Sequence, residues 1–316
     1  GTTSFQDEVY GLITVDNDTL DDQVLIKADG MPTYNFANVV DDHTMGITHV
    51  IRGSEYLSST PKYNLLYEAF GWEIPTYIHC PPVMKNATEK LSKRNGDASY
   101  QDLVAKGYLP AAIVNYLALL GWAPKGEQEI GAVLMLEIFT MEELKKEFSV
   151  SGISKSPSIF DNQKLDYINA EYIRQLSLEQ FHEIALPWIR RTVKREDVDT
   201  RLIAKVLQAR TEVLNQIPEQ VDFIDCLPEY DTALYVHKKM KTNEETSLEA
   251  LKAVLPVLES LEDFTEGSIH TALFDLIAKL GVKNGYLLWP VRVAVSGKQF
   301  TPGGGIEICA ILGKEE

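Results

Sequence analysis

The hydrophobic pattern changes kind part-way along the chain. Up to about residue 85, short β-type runs alternate with amphipathic helical stretches, whereas beyond Asn169 the apolar spacing is helical throughout. A helical period does not pack as a strand, so the chain must build an α/β part, a mixed helical connector and an all-helical C-terminal half. With 316 residues, 45% of them apolar, there is enough chain for two or three domains with separate cores.

In the first part, Val24 to Ala28 reads as a short strand ending at the turn Asp29-Gly30, and His49 to Arg52 as a second strand broken by Gly53. Ser59-Thr60-Pro61 gives an N-cap with proline in the first turn. Tyr63, Leu66, Tyr67 and Phe70 carry the helical period to Gly71, and Thr76 to Cys80 is the next strand. Strand, helix, strand is the order of a parallel sheet with crossover connections. Further on, Ser99 with Asp102, Pro110, and Thr140 with Glu143 signal helix starts, while Gly107 and Gly121 signal stops. Beyond Asn169 lie Ile173-Leu176, Leu202-Val206, Leu248-Leu251-Val254-Leu255 and Ile269-Leu273-Phe274-Ile277-Leu280, all at helical spacing.

The net charge of -16 excludes broad adhesion to nucleic acid, and no DNA partner is expected; any RNA contact must use local patches. One such stretch is Arg190, Arg191, Lys194, Arg195, Arg201, Lys205 and Arg210, which reads equally as a solvated helix face. Cys80, Cys226 and Cys309 are odd in number and far apart, which suits a reducing, cytoplasmic setting and provides neither a disulfide framework nor a structural zinc site. No run of 18 apolar residues exists and no membrane partner is expected.

The densest polar constellation runs from Lys27 to Glu55. Arg52 closes a candidate strand, and ligands of open parallel sheets bind beyond the carboxyl ends of strands. Its guanidinium fork suits a carboxylate or phosphate. Tyr34 and Asn38, four apart, share one face of a helix and can each hydrogen-bond a polar ligand, though a buried tyrosine and a structural asparagine would look the same. Asp41-Asp42-His43 is too sparse for a metal and reads as a turn or cap, His79-Cys80 is likewise short of ligands, and Gly303 to Gly305 reads as a flexible turn. Lys90-Leu91-Ser92-Lys93-Arg94 crowds three cations beside a hydroxyl in an expected loop, the makings of a phosphate grip.

Taken in order, Asp29 to His43, Gly46 to Glu55, Lys90 to Arg94, Phe160 to Asn169 and Pro290 to Gly297 strongly resemble bacterial glutamyl-tRNA synthetase, a class I aminoacyl-tRNA synthetase. The resemblance covers nearly the whole chain. It implies activation of glutamate by ATP to glutamyl-adenylate and transfer to tRNA(Glu), with Mg2+ accompanying the nucleotide. Lys90, Ser92, Lys93 and Arg94 then form the signature loop that neutralises the phosphates as charge moves onto pyrophosphate. By the same resemblance Tyr34, Asn38 and Arg52 hold glutamate, Glu55 and Tyr56 line the ATP site, and the basic stretch from Arg190 to Lys205 contacts tRNA.

The implied fold is half of a Rossmann-type catalytic domain followed by a mainly α-helical stem-contact region and an all-α anticodon-binding domain. Residues 1–85 would end the acceptor-stem insertion and form the second Rossmann half. Residues 86–169 would carry the signature loop and stem-contact region, and 170–316 the anticodon domain, with a break near 225. A HIGH-type histidine motif is missing: His43, His49, His79, His182, His237 and His270 all stand in other contexts. The chain therefore corresponds to the C-terminal two-thirds of such an enzyme and is expected to be inert in amino-acid activation by itself, with an exposed sheet edge. An isolated tRNA-binding module and a glutaminyl-type relative are the alternatives; the helical C-terminal half disfavours the second.

Overall fold

Thr3, Phe5 and Asp7 are buried while Thr2, Ser4 and Gln6 are exposed, and this alternation makes β1 (Thr2–Asp7) one side of a hairpin with β2 (Gly11–Asp16). The computed structural model describes residues 1–92, 99–124 and 137–315. The chain divides into two units: residues 1–99 with 113–165, and residues 100–112 with 166–316.

In the first unit, α1 (Tyr34–Thr44) leads to β3 (His49–Gly53), α2 (Thr60–Phe70) and β4 (Thr76–Cys80). The sheet order is β2-β1-β4-β3, with β4 parallel to both β1 and β3. The parallel register sets Arg52 opposite His79 and Gly53 opposite Cys80. Strand β3 lies at the edge, and Ile51 is 66% exposed. Helix α2 begins at Thr60-Pro61 and stops at Gly71, whose φ of 67° is open to glycine at no steric cost. Val39, Tyr63 and Tyr67 form the core where α1 packs on α2. The two-residue strands β5 (Val83–Met84) and β6 (Ser158–Ile159) pair in parallel.

Helices α3 (Tyr100–Lys106), α4 (Pro110–Leu119) and α5 (Met141–Glu147) follow the sequence signals. Thr140 accepts from the Glu143 N–H while the Glu143 carboxylate accepts from the Thr140 N–H, completing a capping box at α5. Trp122, Phe139 and Leu144 form a small core in the first unit.

Helix α3 lies in the second unit, together with most of α6 (Asn162–Gln175) and with α7 (Leu178–Thr192), α8 (Thr200–Gln208), α9 (Ile217–Gln220), α10 (Glu244–Glu259), α11 (Glu266–Leu280), α12 (Asn284–Ser296) and α13 (Gly305–Leu312). Phe181, Ile189, Ile203, Leu207, Ile217 and Ile308 belong to one core. Ile269, Leu273, Leu287 and Val291 belong to another, and Val295 packs against both. Asn169 is fully buried: its Oδ1 accepts from Leu109 N–H at 2.8 Å and its Nδ2 donates to the Glu212 carbonyl at 2.5 Å.

Three readings of the sequence are corrected. Val24 to Ala28 is no strand: Lys27 N–H bonds to Met31 O and Thr33 N–H to Leu25 O, a tight local turn around Gly30 that leaves Val24 and Ile26 more than half exposed. Asp41-Asp42-His43 is neither turn nor cap but the last part of α1, with His43 stacked on Trp72 at 3.9 Å between ring centroids. Gly305 is not in a flexible turn; it is buried as the first residue of α13, 3.0 Å being all that a Cβ would have to the backbone of Arg292.

Candidate functional site

Arg52 lies near the carboxyl end of β3 and is half-buried among aromatic rings. Its guanidinium carbon is 5.0 Å from the Tyr56 ring centroid, 4.8 Å from that of Tyr63 and 5.3 Å from that of Tyr77. Electron-rich ring faces offset the cost of taking the cation partly out of water. The side chain donates from Nε to His79 Nε2 at 3.0 Å and from Nη2 to Thr60 Oγ1 at 2.8 Å. Of five N–H donors, three have no hydrogen bond among the described residues: both on Nη1 and one on Nη2.

Two buried residues stand behind Arg52. His79 and Asp7 are both 0% exposed, and His79 Nδ1 lies 2.6 Å from Asp7 Oδ2. The same carboxylate accepts from the backbone N–H of His79, Val9 and Tyr10, at 3.2, 3.0 and 2.8 Å. Burial depresses protonation of His79, opposed by the bond to Asp7 and reinforced by the Arg52 charge.

Around the cation, burial raises the Asp42 carboxyl while Arg52 pulls it down. Burial likewise pushes the Tyr67 phenol up to about 12, helped by the Asp42 charge. The Tyr63 phenol is raised by burial against the opposing pull of Arg52, and it bonds to Ser59, Asn38 and Asn35. Asn38 adds an unusual feature: its Oδ1 is buried and accepts no hydrogen bond among the described residues. Tyr34, one turn earlier on α1, is 60% exposed and its ring is 6.1 Å from that of Tyr56; a hydrogen bond between the two phenols raises Tyr56. Tyr56 thus packs directly against the Arg52 cation, while Tyr34 is joined to it through Tyr56 and Asn38 through Tyr63.

Glu55 folds back over Gly53, where any side chain would collide with its carboxylate. It lies 3.6 Å from Lys90 Nζ. Lys90 is not in an open loop: it forms a bridge with Met84, and Leu91 N–H bonds to Val83 O. Ser92 is half-buried, and Lys93 and Arg94 lie outside the described residues.

The basic stretch from Arg190 to Lys205 is largely engaged within its own unit. Arg195 pairs with Asp197, Arg201 with Glu179 and Lys205 with Glu266. Arg190 and Lys194 bond backbone carbonyls, and Arg191 lies 3.6 Å above the Trp188 ring.

Asp7, His79 and Thr60 are the site residues that sequence reasoning missed. Asp7 occupies an inward position of a strand whose buried face carries Phe5 as its one apolar residue, so no apolar alternation marks it. The partnership of His79 with Arg52 depends on sheet register, which has no local sequence signal.

Residues 1–167 match the family described as tRNA synthetases class I (E and Q), catalytic domain, and residues 180–316 match an anticodon binding domain. The chain is 62% identical over 316 residues to a glutamate–tRNA ligase of Clostridium tetani and 60% identical to one of Clostridium botulinum. In both comparisons it is covered completely and spans 63% of the relative's length. Among solved structures it resembles a glutamate tRNA ligase of Elizabethkingia meningosepticum in complex with its amino acid, at 30% identity and a TM-score of 0.83, covering all of this chain and 64% of that one. The glutamate-tRNA synthetase of Elizabethkingia anophelis gives 29% identity and a TM-score of 0.84 with the same coverage. Among the described residues no helix is long and apolar enough to cross a membrane.

Proposed function

We propose, for a chain that belongs to the class I tRNA synthetases of the E and Q type, that the intact protein is a glutamate–tRNA ligase acting in the cytoplasm. It joins the α-carboxylate of glutamate to the α-phosphorus of ATP, releases pyrophosphate, and passes the glutamyl group to a hydroxyl of the terminal adenosine of tRNA(Glu) with release of AMP.

The observation that carries this reading is Arg52, a half-buried cation with three N–H donors that no described residue uses. Glutamate's side-chain carboxylate would pair with it through parallel charged hydrogen bonds. Glutamine would leave the charge uncompensated in a partly desolvated site, which favours the glutamate over the glutaminyl reading. Asn38 Oδ1, a buried acceptor that meets no donor among the described residues, would suit an N–H of the amino acid once the side chain turns towards it, and the exposed Tyr34 hydroxyl can complete the cradle.

Lys90, Ser92, Lys93 and Arg94 are assigned to the phosphates, and Glu55 and Tyr56 to the rest of the nucleotide site. As the bond to pyrophosphate breaks, negative charge builds on the leaving group, and cations there lower the barrier. Among the described residues no three His, Cys, Asp or Glu side chains converge on a metal site. Magnesium is proposed as the ion that the triphosphate brings with it, held by phosphate oxygens and water. The helical second unit would read the tRNA, with Arg190, Arg191, Lys194, Arg195, Arg201 and Lys205 as the basic face.

The test is charging of tRNA by the full-length protein with labelled glutamate or glutamine. Glutamate attachment supports the reading; attachment of glutamine in preference, or of neither, overturns it.

A further inference from the structure

We propose that His79 is a positioning residue for Arg52, and that the buried Asp7–His79 pair aims the cation and so sets the preference of the site for an acidic substrate. The proposal rests on the reading of Arg52 as the group that binds glutamate.

The hydrogen bonds fix the protonation state of His79. Its Nε2 faces the Arg52 Nε–H at 3.0 Å and can only accept, so the ring is neutral and its one proton is on Nδ1. That proton is held by Asp7 Oδ2 at 2.6 Å. Asp7 is itself immobilised by three backbone N–H groups, two of them from the turn between β1 and β2. A rigid line therefore runs from the hairpin turn through Asp7 and His79 to Arg52.

A second tether fixes the other edge of the guanidinium. Thr60 Oγ1 accepts from Arg52 Nη2 and donates to the Tyr56 carbonyl, both at 2.8 Å. With Nε and one Nη2 proton used, the plane of the fork is set, and the remaining donors point away from the protein contacts already made. The Asp42 carboxyl also feels the Arg52 charge. Losing the His79 acceptor would leave the Nε–H buried without a partner and free the cation to turn.

Neither Asp7 nor His79 has exposed surface with which to touch a substrate. A buried carboxylate–imidazole pair is an expensive way to fill space beside a sheet, which apolar residues would do better. Its use here is accounted for by orientation of the cation.

The experiment uses the full-length protein with tRNA present, measuring ATP–pyrophosphate exchange as glutamate and ATP are varied in turn. His79→Leu removes the acceptor, and His79→Gln keeps one within reach of Arg52 Nε. Asp7→Asn presents an amide N–H to Nδ1, which turns His79 over to the tautomer that meets Arg52 donor to donor. His79→Leu and Asp7→Asn should each raise KM for glutamate about tenfold, the scale of a lost hydrogen bond to a charged group. KM for ATP should stay within about twofold, and His79→Gln should recover most of the loss.

An unchanged KM for glutamate, a parallel rise in both KM values, or a His79→Gln no better than His79→Leu would overturn the proposal. Should His79→Leu not fold, Asp7→Asn against wild type decides. A wild-type protein without glutamate-dependent exchange removes the reading of Arg52 itself, whereas an active wild type with indifferent variants removes only the positioning role.

Discussion

Lys90 Nζ and Glu55 Oε1 lie 3.6 Å apart, so the first cation of the basic pentapeptide is tied to the carboxylate that follows β3. Both side chains are more than half exposed, and such pairs contribute little to stability. In the proposed assignment both side chains belong to the nucleotide site, and the pair would not act as a structural clamp.

Glu55→Gln separates these roles. If Glu55 lines the ATP site, KM for ATP in the full-length protein rises several-fold while the melting temperature stays within about one degree. A fall in KM for ATP would instead mean that Glu55 merely competes with phosphate for Lys90.

Asn169 is a stability prediction without a functional component. Asn169→Ala strands the Leu109 N–H and the Glu212 carbonyl, both satisfied by this one buried side chain. A loss of about 2 kcal/mol or more is expected from urea unfolding followed on the second unit.

Two glycines should respond differently to alanine. Gly71 and Gly107 both have positive φ, at 67° and 96°. A Cβ at Gly71 meets nothing within 4 Å, whereas at Gly107 it would sit 2.6 Å from Leu214 Cβ and 3.1 Å from the Trp188 ring. Gly71→Ala should cost about 1 kcal/mol and Gly107→Ala distinctly more, measured as shifts in urea midpoint.

Much of the framework was legible because it is written in local signals. Gly71 and Gly121 stop helices, Thr140 with Glu143 caps one, and the apolar spacing beyond Asn169 is helical at every stretch named. The hairpin β1–β2 was not legible, because its inward face is Thr3, Phe5 and Asp7 and so lacks apolar alternation. Val24 to Ala28 misled for the opposite reason: its apolar residues have β character but no sheet to join. At the candidate site, Tyr34, Asn38 and Arg52 could be singled out as candidates by residue type and spacing. Asp7 and His79 could not, since 72 residues separate them and only the strand register brings them together.

The buried histidine also predicts a pH dependence. His79 in the folded chain takes up a proton less readily than its ordinary value of 6.5 implies, chiefly through burial. As pH falls, the unfolded chain therefore binds the proton first. The contribution is intact above 6.5 and is lost progressively below it, by at most about 1.4 kcal/mol per pH unit. Urea midpoints at pH 7.5, 6.5 and 5.5 should fall more steeply for wild type than for His79→Gln. Equal slopes would show that His79 is protonated alike in both states.

The most direct measurement for the whole account is ATP–pyrophosphate exchange by the full-length protein with tRNA present, comparing wild type with Arg52→Gln. If Arg52 is the cation that holds glutamate, kcat/KM for glutamate falls by at least about thirtyfold while KM for ATP hardly changes. An Arg52→Gln protein that activates glutamate as well as wild type would contradict it.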